Sequence, residues 1–198
     1  MEQKDRRINM EEIKKAWKII LTAIGENTDR EGLRETPERI ARMYTEIFRG
    51  YNPDNKPKLT TFDNNSDGIY FRGMICDKGY FFSHCEHHGV PFIGEYFFAY
   101  VPDKKIIGLS KVARIVDFFS AKLQIQERLT QEILNEIASV LNPKGAILVL
   151  KARHLCKDMR GVKKNNGFMI TSESTGIFKE NKDMIKEEFF NLMMKQNE

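Results

Sequence analysis

Between Asn9 and Gly25 the apolar side chains return every three or four positions, at Ile13, Trp17, Ile20, Leu21 and Ile24. That spacing predicts an amphipathic helix, with Asn9 and Glu12 forming a capping-box pattern and Gly25 suiting the stop. A second helix is predicted in "TPERIARMYTEIFRG", capped by Thr36, with Pro37 at the first helical position, Gly50 at the end and a stripe of Ile40, Met43, Tyr44 and Ile47. A turn-rich connector, "YNPDNKPKLTTFDNNSDG", follows. From Ile69 the period changes: "IYFRGMIC", "YFFSHC" and "GEYFFAYVP" are rich in β-branched and aromatic residues and read as strands. Helical patterning returns in "SKVARIVDFFSAKL", capped by Ser110, and in "QERLTQEILNEIASVL", stopped by "NPKG". Two strands, "GAILVLKAR" and roughly "GFMITSES", precede a charged C-terminal helix, "MIKEEFFNLMMKQ". This order predicts an α+β protein in which helices lie on one face of an antiparallel sheet. Residues 1–60 form its N-terminal helical region and residues 61–198 its main domain.

Composition adds modest constraints. Of 198 residues, 41% are apolar and 30% charged, an ordinary globular mixture long enough to bury a core. The net charge of +4 suits a phosphorylated small molecule and, without a basic stripe, argues against a nucleic-acid partner. The apolar runs fall short of a membrane span, so no membrane partner is expected. The opening "MEQKDRRINM" has no apolar signal core. A reducing, cytoplasmic setting is therefore expected, where Cys76, Cys85 and Cys156 serve more often as ligands or catalysts than as disulfides.

The candidate chemistry concentrates in two stretches, "FFSHCEHHGVPF" and "ARHLCKDMRG". If Cys85 to His88 form a tight turn, positions i and i+3 share a side, so Cys85 and His88 converge while His87 points elsewhere. An extended "ILVLKARHLC" puts Leu148, Leu150, Ala152, His154 and Cys156 on one face. Together the stretches offer Cys85, His88 and Cys156, a Cys2His set that leaves one position open on zinc. His87 and His154 then stand beside the metal as unligated imidazoles, with an unperturbed pKa of about 6.5 that suits proton transfer. Each stretch alone also suits a polar loop or a small buried hydrophobe. A closed structural zinc, completed by His87, His154 or Cys76, stays open as an alternative. Cys76 reads as a core residue, and His84 as an exposed or strand-end one.

Ser110, Lys111 and Arg114 open a predicted helix, where free N–H groups, a hydroxyl and two cations can take an anion. Gln126 and Glu127 follow, and a buried carboxylate there can accept two hydrogen bonds from a guanine-like N–H edge. Arg160 adds a cation four residues beyond Cys156. The plain alternatives are a solvated basic helix face, an ordinary helix start and a surface ion pair.

The blocks "ETPERIARMY", "CEHH", "GLSKVARIV", "QIQERLTQEI", "HLCKDMRGV" and "TSESTGIF" resemble, in order, the signature blocks of the type I GTP cyclohydrolase family, across roughly residues 33–178. The resemblance implies a tunnelling fold whose barrel is completed by oligomerisation, as a homodecamer of two pentamers. It implies conversion of GTP and water to 7,8-dihydroneopterin triphosphate and formate. It implies zinc held by Cys85, His88 and Cys156, with His87, His154 and Ser110 as catalytic residues. Gln126 and Glu127 match positions that hold the purine, and Ser110, Lys111, Arg114, Arg160 and Arg39 match positions around the ribose triphosphate. Two other readings are a structural zinc module and a different pterin or deazapurine enzyme with Cys85 or Cys156 as nucleophile.

Overall fold

The computed structural model describes residues 8–164, 166–180 and 183–194. The chain divides into two compact units, residues 1–55 and 56–198.

The first unit holds helices α1 (Met10–Ala23), α2 (Glu31–Arg34) and α3 (Thr36–Ile47). Asn9 caps α1 by accepting from the Glu12 backbone N–H at 3.2 Å, as expected. Glu12 itself turns to Lys15, at 3.0 Å. Only part of the predicted stripe is covered: Leu21 is buried, Ile13 and Trp17 are half-buried, and Ile20 and Ile24 are exposed. In α3, Pro37 stands in the first turn, but Glu35 rather than Thr36 is the cap residue. The helix stops at Ile47, and Gly50 falls in a short 3-10 turn, Arg49–Tyr51. Lys14 ties α1 to α3 through Glu38 at 2.5 Å.

The second unit runs β1 (Thr61–Asp63), β2 (Ile75–Cys85), β3 (Pro91–Val101), β4 (Lys105–Ile107), α4 (Leu109–Ser120), β5 (Leu123–Gln124), α5 (Gln126–Leu141), β6 (Gly145–His154), α6 (Leu155–Asp158), β7 (Met169–Gly176) and α7 (Asp183–Met194). Five strands form one sheet in the order β5-β2-β3-β6-β7, antiparallel except for β5 against β2. β1 and β4 make a separate antiparallel pair. The α+β class expected from the sequence is what the chain adopts. The strand expected from Ile69 starts only at Ile75. The segment before it is held instead by the buried Asn64, whose amide donates to Phe71 O and Asp103 O, each at 2.9 Å.

The central strands explain the core. Along β3, Phe92, Tyr96, Phe98 and Tyr100 face one way, where they meet Val112, Ile115 and Val116 of α4 and Leu129, Ile133, Leu134 and Ile137 of α5. Phe97 and Ala99 face the other way and pack with Ile147, Val149, Phe178 and Phe189 of α7. Helices therefore cover both faces, not one. The physical reason is that β3 and β6 carry apolar residues at both parities, the pattern of strands buried on both sides. Each fully buried Phe or Leu contributes about 1.5–3 kcal/mol relative to exposure. This packing brings the end of β2, the start of β3, the end of β6 and the first turn of α5 to one edge, since Phe92 pairs with His154 and Cys85 with Gln124. The C-terminal helix lies where the pattern predicted it, though Lys195 and Gln196 fall outside the described residues. Among the described residues, no helix is long and apolar enough to cross a membrane.

Candidate metal centre and active site

Strand β2 delivers Cys85 at its last position, 5% exposed. The chain then turns tightly: His88 N–H and Gly89 N–H both donate to Cys85 O, at 3.3 and 2.8 Å, and Cys85 N–H donates to Val90 O at 2.9 Å. Gly89 closes the turn at φ +66°, a left-handed conformation that glycine adopts without steric cost. Strand β6 ends at His154, and the short helix α6 carries Cys156. Alternation along an extended chain therefore does not reach Cys156. The helical turn brings its half-buried thiol round to the other stretch.

One ligand atom each from Cys85, His88 and Cys156 lies within 4.8 Å of the others. Burial, and then the neighbouring Cys85 sulfur, push the Cys156 thiol up. A divalent cation reverses that preference, because two adjacent thiolates repel until positive charge sits between them. Two sulfurs and one imidazole are a donor set that suits zinc and other borderline-soft ions. His87 does not point away as expected. Its Nδ1 lies 3.6 Å from the Cys85 sulfur, close to the 3.8 Å of His88 Nδ1, because the turn curls both rings back over the strand end.

His154 is held on two sides. Its ring stacks on Phe92, with centroids 4.6 Å apart and planes 2° from parallel. Its Nε2 lies 2.9 Å from Gln126 Oε1. Gln126 is 1% exposed, and its amide nitrogen faces Leu150 O at 3.0 Å, Met169 O at 3.1 Å and Thr171 Oγ1 at 3.1 Å. Two carbonyl oxygens can only accept, so the amide NH2 must point at them and its oxygen at His154. His154 Nε2 therefore carries the proton, and Nδ1 is the nitrogen left for chemistry. Burial holds this imidazole below its ordinary pKa, with Glu127 and Asp158 pulling upward. Gln126 thus spends its amide on the protein, while its neighbour Glu127 is exposed.

The remaining expected residues are distributed as follows. Arg160 is exposed and donates from Nη1 to His88 Nε2 at 2.9 Å. Ser110, Lys111 and Arg114 share the first turns of α4, whose cap residue is Gly108 rather than Ser110; the helix begins two residues earlier than the apolar pattern suggests. Arg39 belongs to the first unit, where it pairs with Glu35 at 2.7 Å. Cys76 is half-buried against the second core cluster, and burial pushes its thiol up. His84 is half-buried at the strand end, its imidazole pushed down by burial. Sequence reasoning missed Phe92, Thr171, Glu86, Arg128 and Gln124. Phe92, Thr171 and the Glu86–Arg128 pair meet their partners tens of residues away, where no local spacing announces them, whereas Gln124 stands four residues before Arg128.

Fold and site together define an α+β protein with a Cys2His cluster that could hold a metal ion, beside an exposed carboxylate and a histidine oriented by a buried amide. Residues 13–194 match the GTP cyclohydrolase I sequence family. A GTP cyclohydrolase 1 of Caldanaerobacter subterraneus subsp. tengcongensis is 50% identical over 175 residues, spanning 87% of this chain and 90% of that protein. One from Finegoldia magna is 46% identical over 187 residues, spanning 94% and 99% respectively. One from Bartonella bacilliformis is 43% identical over 183 residues, spanning 92% and 87%. The chain belongs to the GTP cyclohydrolase I family.

Proposed function

We propose that this chain is a zinc-dependent GTP cyclohydrolase I, converting GTP and water to 7,8-dihydroneopterin triphosphate and formate. The observation that carries the reading is the convergence of Cys85, His88 and Cys156 beside a histidine whose ring orientation and tautomer are both set by the fold. Zinc held by those three residues, when bound, supplies a Lewis acid that acidifies water for attack at purine C8.

The chain's own residues do the rest. His154 keeps Nε2–H on Gln126 and uses Nδ1 to move a proton at purine N7. Glu127 accepts the N1 and N2 edge of the base, and Gln126 acts through His154. Ser110, Lys111 and Arg114 on α4, together with Arg160 and Arg39, bind the ribose triphosphate. That handle stays intact through the reaction, so its binding energy orients the base. His87 and Ser110 assist proton movement during ring opening and reclosure. The sheet is read as one protomer's share of a tunnelling-fold barrel, residues 61–198 forming the catalytic domain and residues 1–60 a helical appendage. The assembly is a homodecamer of two pentamers working in the cytoplasm.

The test is incubation of purified protein with GTP, following pterin fluorescence and formate. Activity lost to a chelator and regained with zinc is expected. His154→Ala should keep zinc but lose roughly 100-fold or more in turnover, the usual contribution of a positioned acid or base. Cys156→Ser should lose both. Zinc retained by Cys156→Ser refutes the ligand set, and a zinc-replete protein that leaves GTP untouched favours a structural metal.

A further inference from the structure

Arg128 follows Gln126 and Glu127 in the first turn of α5, and its guanidinium reaches three acceptors on two other segments. Its Nη2 donates to the Glu86 carboxylate and, at 3.3 Å, to Leu123 O; its Nε donates to Gln124 Oε1 at 2.9 Å. Glu86 stands between Cys85 and His87 in the ligand-bearing turn, and its own N–H donates to Gln124 O at 3.0 Å. Gln124 is 1% exposed, and its amide nitrogen is tied to Glu132 Oε2 at 2.9 Å and Phe119 O at 3.1 Å. Phe119 O can only accept, so the Gln124 amide oxygen is the atom facing Arg128. A continuous polar chain therefore runs Glu86–Arg128–Gln124–Glu132, from the turn into the body of α5.

We propose that Arg128 is a positioning residue for the metal-ligand turn, setting through Glu86 where Cys85 and His88 stand against α5. The fork of the guanidinium has a fixed planar geometry, so three acceptors fix its plane as well as its place. Glu86 is covalently next to one ligand and two residues from another; where its carboxylate is pinned, the Cys85 sulfur and the His88 nitrogen follow. The same arginine is bonded in sequence to Glu127, so the proposed base-binding carboxylate and the ligand turn are held in one register. Exposed ion pairs contribute little to folding, and this pair is partly exposed on both sides, at 41% and 34%. Its signature should therefore appear in the metal site rather than in the melt. Partners that orient ligands from outside typically change metal affinity by about 10–100-fold when lost.

The inference rests on the reading of Cys85, His88 and Cys156 as ligands, and the experiment separates the two. Full-length wild type, Arg128→Gln, Arg128→Lys, Glu86→Gln and the Glu86→Gln/Arg128→Gln double variant are stripped of metal. Each is titrated with zinc against a chromophoric chelator and with Co2+ under absorption spectroscopy. Wild type should show thiolate-to-cobalt charge transfer; if it does not, the ligand reading fails and this inference falls with it. Given that band, the single glutamine variants should bind zinc about tenfold or more weakly and shift the cobalt d–d bands. The double variant should be no worse than the worse single, and kcat should fall more than KM rises. Lysine, which cannot span the three acceptors, should behave as glutamine does. Wild-type zinc affinity with unshifted cobalt bands in both Arg128→Gln and the isosteric Glu86→Gln overturns the proposal, whatever the thermal stability does.

Discussion

Replacing Gln126 by Leu isolates the buried amide that holds His154. The substitution keeps nearly the same volume at a site that is 1% exposed, so packing changes little and polar satisfaction changes greatly. It removes donors from Leu150 O, Met169 O and Thr171 Oγ1 and the acceptor from His154 Nε2. The strand carbonyls retain a second lone pair, and Thr171 keeps Thr130 at 2.7 Å, so they lose least. The stranded His154 N–H loses most. The amide's two N–H groups and its one oxygen make three hydrogen bonds, and at about 1 kcal/mol for each the expected loss is about 3 kcal/mol. For a chain of this size that corresponds to a fall of roughly 6–12 °C in Tm. Melts followed by circular dichroism at equal protein concentration and full zinc loading measure it. Turnover should fall as well, because the ring regains its second tautomer, while zinc stays bound. Gln126→Glu, which keeps an acceptor opposite His154, should be comparably destabilised yet retain more kcat than Leu. A Tm within 2 °C of wild type together with kcat within about twofold would refute the reasoning.

Three further outcomes are expected. Gly94→Ala places a Cβ 2.1 Å from Lys151 O, so β3 and β6 must separate; a stability loss of about 3 kcal/mol is expected by thermal melt. Arg160→Ala should raise KM for GTP about tenfold, as for a lost charge-assisted phosphate contact, without weakening zinc in chelator competition. The latter follows because Arg160 occupies the His88 Nε2 lone pair, and a neutral imidazole binding metal through Nδ1 needs its proton there. Burial pushes the Asp77 carboxyl up, opposed by the hydrogen bond from Tyr96 at 2.9 Å. A raised folded pKa means that the native state favours the protonated form. Its stabilising contribution is therefore full below the ordinary carboxylate value and declines as pH rises through the raised one. Asp77→Asn keeps an acceptor for Tyr96 and should remove that decline. The variant should match wild type at acidic pH and exceed it at neutral pH in parallel melts; equal Tm values at both would count against the assignment.

Some of this was legible in local pattern. The capping of α1 by Asn9, the strand at β6 and the long helix α5 all follow from spacing and cap residues that act within a few positions. The left-handed Asn142 that ends α5 lies in the "NPKG" predicted as its stop. The pairing of two short Cys/His stretches also needed only residue type, since few roles besides metal binding use thiols and imidazoles at that density. What spacing misjudged was direction. It sent His87 away from Cys85 and carried Cys156 along a strand, because a turn and a four-residue helix change side-chain direction without changing composition. It also made one helix of "SKVARIVDFFSAKL", where the helix stops at Ser120 and the chain gives Leu123 and Gln124 to the sheet.

By itself the amino-acid order determined which residues have metal-binding and proton-transferring chemistry, because that is a property of the side chain alone. Only the tertiary structure decided that Gln126 holds His154 rather than standing free, that Arg128 reaches Glu86 across 42 positions, and that both sheet faces are covered. Those facts depend on which strand lies beside which. Strand order is set by the summed burial of many apolar side chains, a long-range quantity that no short window of sequence contains.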